Sequence, residues 1–178
     1  MRYQEVEGDL IKLAKQGRFD VIVHGCNCFF VMGAGIAPQM AEAFACDTFK
    51  LEHRDYLGDI NKLGQIDYET DYLQDAEGFT TPKKLTVVNA YTQFNGGCNL
   101  DYEALILCMR KINHVFKGMT IGLPQIGCGI AGGVWDENSL SEDDYYAWNR
   151  GTRDFKFVKY TIQQELKDCN ITIVKYKP

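Results

Sequence analysis

Short apolar runs rich in β-branched residues recur along this chain at 21–23, 85–90, 120–123 and 171–176. Runs of this length, bounded by polar or glycine-rich segments, predict buried strands. Residues 1–7 alternate more weakly, through Tyr3 and Val6, and read as an edge strand; 63–68 reads as another strand. Between them the period changes. Ile36, Met40, Ala43 and Phe44 fall at helical spacing with Pro38 in the first turn, and helices are predicted over 10–14, 36–44, 46–58, 100–115 and 155–166. Residues 71–82 read as a polar loop, and the acidic, aromatic stretch at about 137–154 as an insertion that is partly loop. Strands alternating with helices predict a three-layer α/β/α fold with a mixed, mostly parallel central sheet, the first strand supplying the mixed character. At 178 residues the chain is expected to form one domain over 1–178.

Composition narrows this picture. The chain carries a formal charge of −5, so general binding to nucleic-acid phosphates is not expected, and any anionic ligand must be held mainly by backbone dipoles. Seven cysteines include one close pair, Cys26 and Cys28, without the partners that close a zinc site. They are expected to be reduced, mostly buried thiols; metal ligation or a nucleophilic role for Cys26 or Cys28 is the other reading. No metal or cofactor is expected. With no leader and no membrane-length apolar run visible, the expectation is a cytoplasmic protein, monomeric and free of membranes.

Two segments carry the candidate chemistry. The strand at 21–23 runs through His24, Cys26, Asn27 and Cys28 into Met32-Gly33-Ala34-Gly35-Ile36-Ala37, the start of a predicted helix. Glycines let backbone N–H groups approach an anion closely, and a helix start offers free N–H groups and a positive dipole end. There is no Lys-Ser/Thr after the glycines, so the segment is not a P-loop, and it lacks the third glycine of a dinucleotide fingerprint. The second segment, about a hundred residues on, follows the strand at 120–123 and reads Pro124-Gln125-Ile126-Gly127-Cys128-Gly129-Ile130-Ala131-Gly132-Gly133. Two such loops can face each other across one crevice at the strand ends of an open sheet.

In this order, Gly8-Asp9-Leu10, the segment from His24 to Ala37, the loop from Pro124 to Gly133 and the strand ending at Tyr176 resemble the macro domain family, which binds ADP-ribose. The likeness is nearest to small members that release phosphate from ADP-ribose 1″-phosphate or hydrolyse ADP-ribosyl-glutamate. It implies metal-independent hydrolysis of ADP-ribose 1″-phosphate. The alternatives are removal of ADP-ribose from modified macromolecules and a non-catalytic ADP-ribose-binding module. It also implies that Asp9 accepts from the adenine amine, with Leu10 beside it, and that Tyr176 lies against adenine. Asn27 would touch the distal ribose. Met32, Gly33, Ala34, Gly35, Ile36 and Ala37, with Gln125, Gly127, Cys128, Gly129 and Ile130, would hold the diphosphate and ribose, and Thr92 and Gln93 would line the crevice.

Several residues have a plainer reading beside that one. Asp9 suits a helix N-cap, Asn27 a loop-bracing amide, and Tyr176 core packing. His24, at a strand end, suits a general base, acid or nucleophile, or a core histidine satisfied by a carbonyl. Asp136 either orients His24 or activates water, or else caps a helix. Relatives that act on ADP-ribosyl-glutamate use a lysine at the middle strand end and an aspartate in the second loop. This chain has Asn89-Ala90-Tyr91 and Ile130-Ala131 there, which disfavours that chemistry. Tyr145, Tyr146 and Trp148 of the insertion either stay in a solvated flap, cover the ligand or meet a partner.

Overall fold

The computed structural model describes residues 2–49, 57–75 and 77–177. Six strands form one sheet in the order β1-β6-β5-β2-β4-β3. They are β1 (Tyr3–Gly8), β2 (Val21–Asn27), β3 (Ile66–Gln74), β4 (Thr80–Gln93), β5 (Thr120–Leu123) and β6 (Asn170–Tyr176). The helices are α1 (Leu10–Lys15), α2 (Ala37–Phe44), α3 (Tyr102–Val115), α4 (Glu142–Asn149) and α5 (Val158–Glu165). The sheet is mixed and mostly parallel, as the sequence predicts, but its odd strand is a different one. β1 pairs parallel with β6, and β3 runs antiparallel to β4.

The physical reason is the turn at 75–79. Asp75 accepts backbone N–H bonds from Glu77 and Phe79 and so closes a hairpin, which forces β3 and β4 to run antiparallel. The segment expected to be a polar loop is therefore the outer part of this hairpin. Its side chains are mostly exposed, and their polarity marks a solvated ribbon rather than an absence of structure. The helix predicted over 46–58 is a short 3₁₀ turn at Cys46–Thr48, and most of the remainder lies outside the described residues.

Strand alternation sorts the apolar side chains into two layers. Val21, Val23, Val88, Ala90, Ile121, Leu123, Ile171 and Ile173 face α3 and α5 and pack on Leu105, Met109, Ile112, Val158 and Ile162. Ile22, Leu85, Val87 and Val174 face the other way, onto Leu10 and Ala14 of α1 and Met40 of α2. Asp101 caps α3 by accepting from the Ala104 N–H at 2.9 Å. In the 137–154 stretch, Ser141 caps α4 through Asp144 N–H, and none of the residues of α4 is buried.

Within β5, a Cβ added at Gly122 would stand 2.7 Å from the Phe19 ring. Gly122→Ala is expected to cost about 1–3 kcal/mol of stability through this overpacking. Urea unfolding of the variant checks it; an unchanged midpoint would mean that Phe19 yields freely.

Candidate functional site

The carboxyl ends of the parallel strands open on one cleft of about 1390 Å³. Gly8 and Tyr176 stand where β1 and β6 end, Asn27 where β2 ends, Gln93 where β4 ends, and Pro124 just beyond β5. By the strand order, the cleft crosses from β1 to β4, about 19 Å at ordinary strand spacing. Such a length suits an extended nucleotide better than a single sugar phosphate.

The first wall comes from the β2–α2 connection. Asn27 braces it: Oδ1 accepts from the N–H groups of Phe29 (3.0 Å) and Val31 (3.3 Å), and Nδ2 donates to Val31 O at 3.0 Å. The turn holds Phe30 at φ 58, a conformation that bulky residues seldom adopt. Gly35 sits at φ 63 with nothing within 4 Å of where a Cβ would stand, so its missing side chain leaves open space at the cleft. α2 then starts with no side-chain cap and with proline in its first turn, leaving its first N–H groups to the cleft.

The second wall is the loop after β5. Gly127 takes φ 73 and Gly132 φ 76, and the N–H of Gly133 donates to Gly127 O at 2.8 Å. Asn99 and Leu100 both donate to Ala131 O, which ties the loop to the segment after β4. This packing needs glycine: a Cβ on Gly133 would lie 2.4 Å from Leu100 and 2.7 Å from Gly127 O. Between the walls, Gly25 leaves room for Thr92, whose hydroxyl would stand 3.0 Å from a Cβ there and has no hydrogen-bond partner.

Most of the residues predicted for binding line this cleft together. Asp9, Leu10, Asn27, Met32, Gly33, Ala34, Gly35, Ile36, Ala37, Thr92, Gln125, Gly127, Gly129, Ile130 and Tyr176 are all on its walls. Asp9 is also the cap of α1, accepting from Lys12 N–H at 3.0 Å, so one carboxylate serves both readings. Tyr176 is 72% exposed, which rules out the core reading and leaves its ring open to the cleft. Cys128 is a correction. Expected to offer its main-chain N–H to the ligand, it is absent from the cleft walls; that N–H donates to Gln125 O at 3.1 Å, and the side chain packs against the α3/α5 core.

The two predicted catalytic residues are also corrections. His24 is fully buried and does not line the cleft. Strand alternation puts it on the same side as Ile22, under Cys46, where Nε2 lies 2.6 Å from Asn89 Oδ1. Asn89 Nδ2 donates to Cys46 O at 2.9 Å, so its Oδ1 accepts and His24 Nε2 carries the hydrogen. Nδ1 has no partner. Burial lowers the imidazole to about 4, partly opposed by the Asn89 bond, so it is neutral at physiological pH. Asp136 is buried beside the core instead. It caps the turn at Glu137–Ser139, accepts from Ser139 Oγ, and pairs with Lys159 at 3.6 Å, away from the cleft walls. Cys26 does reach the cleft, but burial raises its thiol well above the usual range, so it is no thiolate nucleophile at neutral pH. Among the described residues no cluster of His, Cys, Asp and Glu suits a metal ion.

Sequence reasoning missed Gly25, Phe29, Phe30, Val31, Asn95, Gly96 and Gly97, and the α1 and α2 side chains Lys12, Lys15, Gln39 and Glu42. The glycines at 96 and 97 were a usable signal. The insertion aromatics Tyr145, Tyr146 and Trp148 are not on the cleft walls; Trp148 packs edge-on against Phe157 at 5.5 Å.

Comparison with known proteins agrees with this geometry. The chain is 36% identical over 139 residues to the "Uncharacterized 17.5 kDa protein in tk-vs intergenic region" of Enterobacteria phage T4, covering 74% of this chain and 81% of that one. The chain belongs to the family of that phage protein. No family model matches it. Among solved structures, the macrodomain of Thermus aquaticus DarG is similar over 99% of this chain and 98% of that one, with TM-score 0.56 and 20% identity. Thermosipho africanus DarTG in complex with ADP-ribose matches over all of this chain and 42% of that one, with TM-score 0.61 and 16% identity. The Trypanosoma brucei macrodomain in complex with ADP-ribose matches over 98% and 63%, at TM-score 0.52 and 14% identity. The fold is the macrodomain fold.

Within this macrodomain fold His24 gives a measurable signature. An imidazole that takes its proton near 6.5 when unfolded and near 4 when folded leaves the unfolded chain holding the extra proton between those values. Its contribution to stability is complete above about pH 6.5 and falls by roughly 3 kcal/mol as the pH drops toward 4. His24→Gln, which can still donate to Asn89, is expected to flatten that part of the stability profile. Denaturant unfolding of both proteins between pH 7 and 4.5 tests this; equal slopes would show that another group titrates.

Proposed function

We propose that the cleft binds ADP-ribose. The observation that carries the reading is the joining, in one cleft, of two glycine loops and an uncapped helix start, with Asp9 and Tyr176 together at one end. A diphosphate fits between the loops, where main-chain N–H groups rather than charged side chains meet it. At the β1/β6 end, Asp9 accepts from the adenine amine while the exposed Tyr176 ring lies against the base. The distal ribose then extends toward Asn27, Gln93 and Gly96 at the β4 end. Solved structures that share the fold hold ADP-ribose in the Thermosipho and Trypanosoma proteins and ADP in the Trypanosoma one, which supports a ligand with an adenosine diphosphate part.

Hydrolysis of ADP-ribose 1″-phosphate is the finer reading. What supports it is the supply of main-chain donors from the Gly127–Ala131 loop, because phosphoryl transfer draws mostly on positioning and electrostatic stabilisation. The reading does not draw on His24 or Asp136, since neither lines the cleft. Removal of ADP-ribose from a modified macromolecule would use the same cleft.

Calorimetry with ADP-ribose tests the binding reading, and wild type is expected to bind. Gly35→Val places a β-branched side chain at φ 63, in the space left open at the cleft, and is expected to weaken binding at least ~10-fold. Absence of binding by wild type would refute the proposal. Phosphate release from ADP-ribose 1″-phosphate, with chelator present, tests the finer reading; activity is expected to survive in His24→Gln.

A further inference from the structure

The two ends of the cleft differ in chemistry. Its charged wall residues are Asp9, Lys12, Lys15 and Glu42, and all four come from α1, its cap, or α2. The β4 end has none among the described residues. There the polar groups are the neutral amides of Asn27, Gln93 and Asn95, and the rim is apolar.

Among the described residues, three exposed apolar side chains contribute to that rim. Val31 is 66% exposed and Ile130 59%, and both line the cleft. Phe29, 38% exposed, is held edge-on to Phe94 at a ring separation of 5.4 Å. The bonds that Asn27 makes to Phe29 and Val31 fix this side of the rim. Ile130 arrives from the other side on the glycine loop, which Ala131 O ties to Asn99 and Leu100. An apolar rim built from two braced loops and left open to water stabilises a ligand group by burying its apolar surface. Among the described residues it offers a phosphate dianion no cation.

We infer that the β4 end of the cleft is a subsite for an uncharged substituent with an apolar face, joined to C1″ of ADP-ribose, and that it ranks such a group above a 1″-phosphate, so that of the two hydrolase readings it favours release of ADP-ribose from a modified macromolecule over hydrolysis of the 1″-phosphate. The inference rests on the ADP-ribose reading, which places the distal ribose at this end. It makes Val31 a specificity-determining residue and gives Asn27 a positioning role.

The test compares three ligands by calorimetry: ADP-ribose, ADP-ribose 1″-phosphate and 1″-O-benzyl ADP-ribose. Wild type is expected to bind the benzyl compound roughly tenfold more tightly than ADP-ribose, the gain expected from burying part of one ring, and the 1″-phosphate no more tightly than ADP-ribose. In Val31→Ser the ratio between benzyl ADP-ribose and ADP-ribose is expected to fall toward one. In Val31→Lys the order of the benzyl and phosphate ligands is expected to move toward the phosphate. Tighter binding of the 1″-phosphate than of the benzyl compound by wild type would overturn the inference, as would a ratio that Val31→Ser leaves intact. If ADP-ribose itself does not bind, the failure belongs to the underlying reading and the inference falls with it.

Discussion

β2 is buried between β4 and β5, with helices over both of its faces, and the position of its carboxyl end organises the cleft. Hydrogen bonds on both sides hold its register, and the apolar residues 21–23 anchor its first half. The chain leaves the sheet at Asn27 because the register slips between Cys26 and Asn27, and the Asn27 amide then takes over the bonds that a strand would have made. From that one departure follow the Phe29–Val31 turn, the glycines of the first wall and the start of α2. The second wall leaves β5, the neighbour of β2 on its other side, and so comes to face the first.

The same strand decides the fate of its polar residues. A period of two sends alternate side chains to opposite faces, so His24 points beneath α2 and Gly25 faces Thr92 and Ile126. The two loops that wall the cleft are rich in glycine and so present much backbone to it. This gives a binding surface whose donors carry no proton to lose near neutrality, in a chain of net negative charge. Such a surface would hold an anion by oriented dipoles, and the charged side chains of the wall gather on α1, its cap and α2. One end has Asp9, two lysines and an exposed tyrosine; the other has amides and an apolar rim.

The 137–154 stretch stands apart from this arrangement. Its aromatic residues form a chain of ring contacts from Tyr146 through Tyr145 and Trp148 to Phe157 and Tyr160, beside the outer end of α5. Asp136, at its base, pairs with Lys159, which also meets Glu5 on β1. The acid that sequence placed near the reacting centre thus belongs to an ion cluster in which Lys159 joins α5 to the edge strand β1.

Local sequence was enough for what depends on short-range order. The strands at 21–23, 85–90 and 120–123, the Asp9 cap, and the glycines that open both loops all follow from side-chain size, branching and φ preference. Their order also carried the likeness to macro domains, and with it many of the residues of the two loop walls. Tertiary structure decided what depends on direction and neighbours. Which strand runs antiparallel was settled by the Asp75 turn, and the mostly exposed outer part of that hairpin has no apolar period to announce it. Whether a histidine at a strand end meets solvent or a buried asparagine depends on which way its Cβ points and on what packs there. Sequence spacing around His24 gives the alternation, but only the packing of Cys46 and Asn89 over it makes that position an interior one.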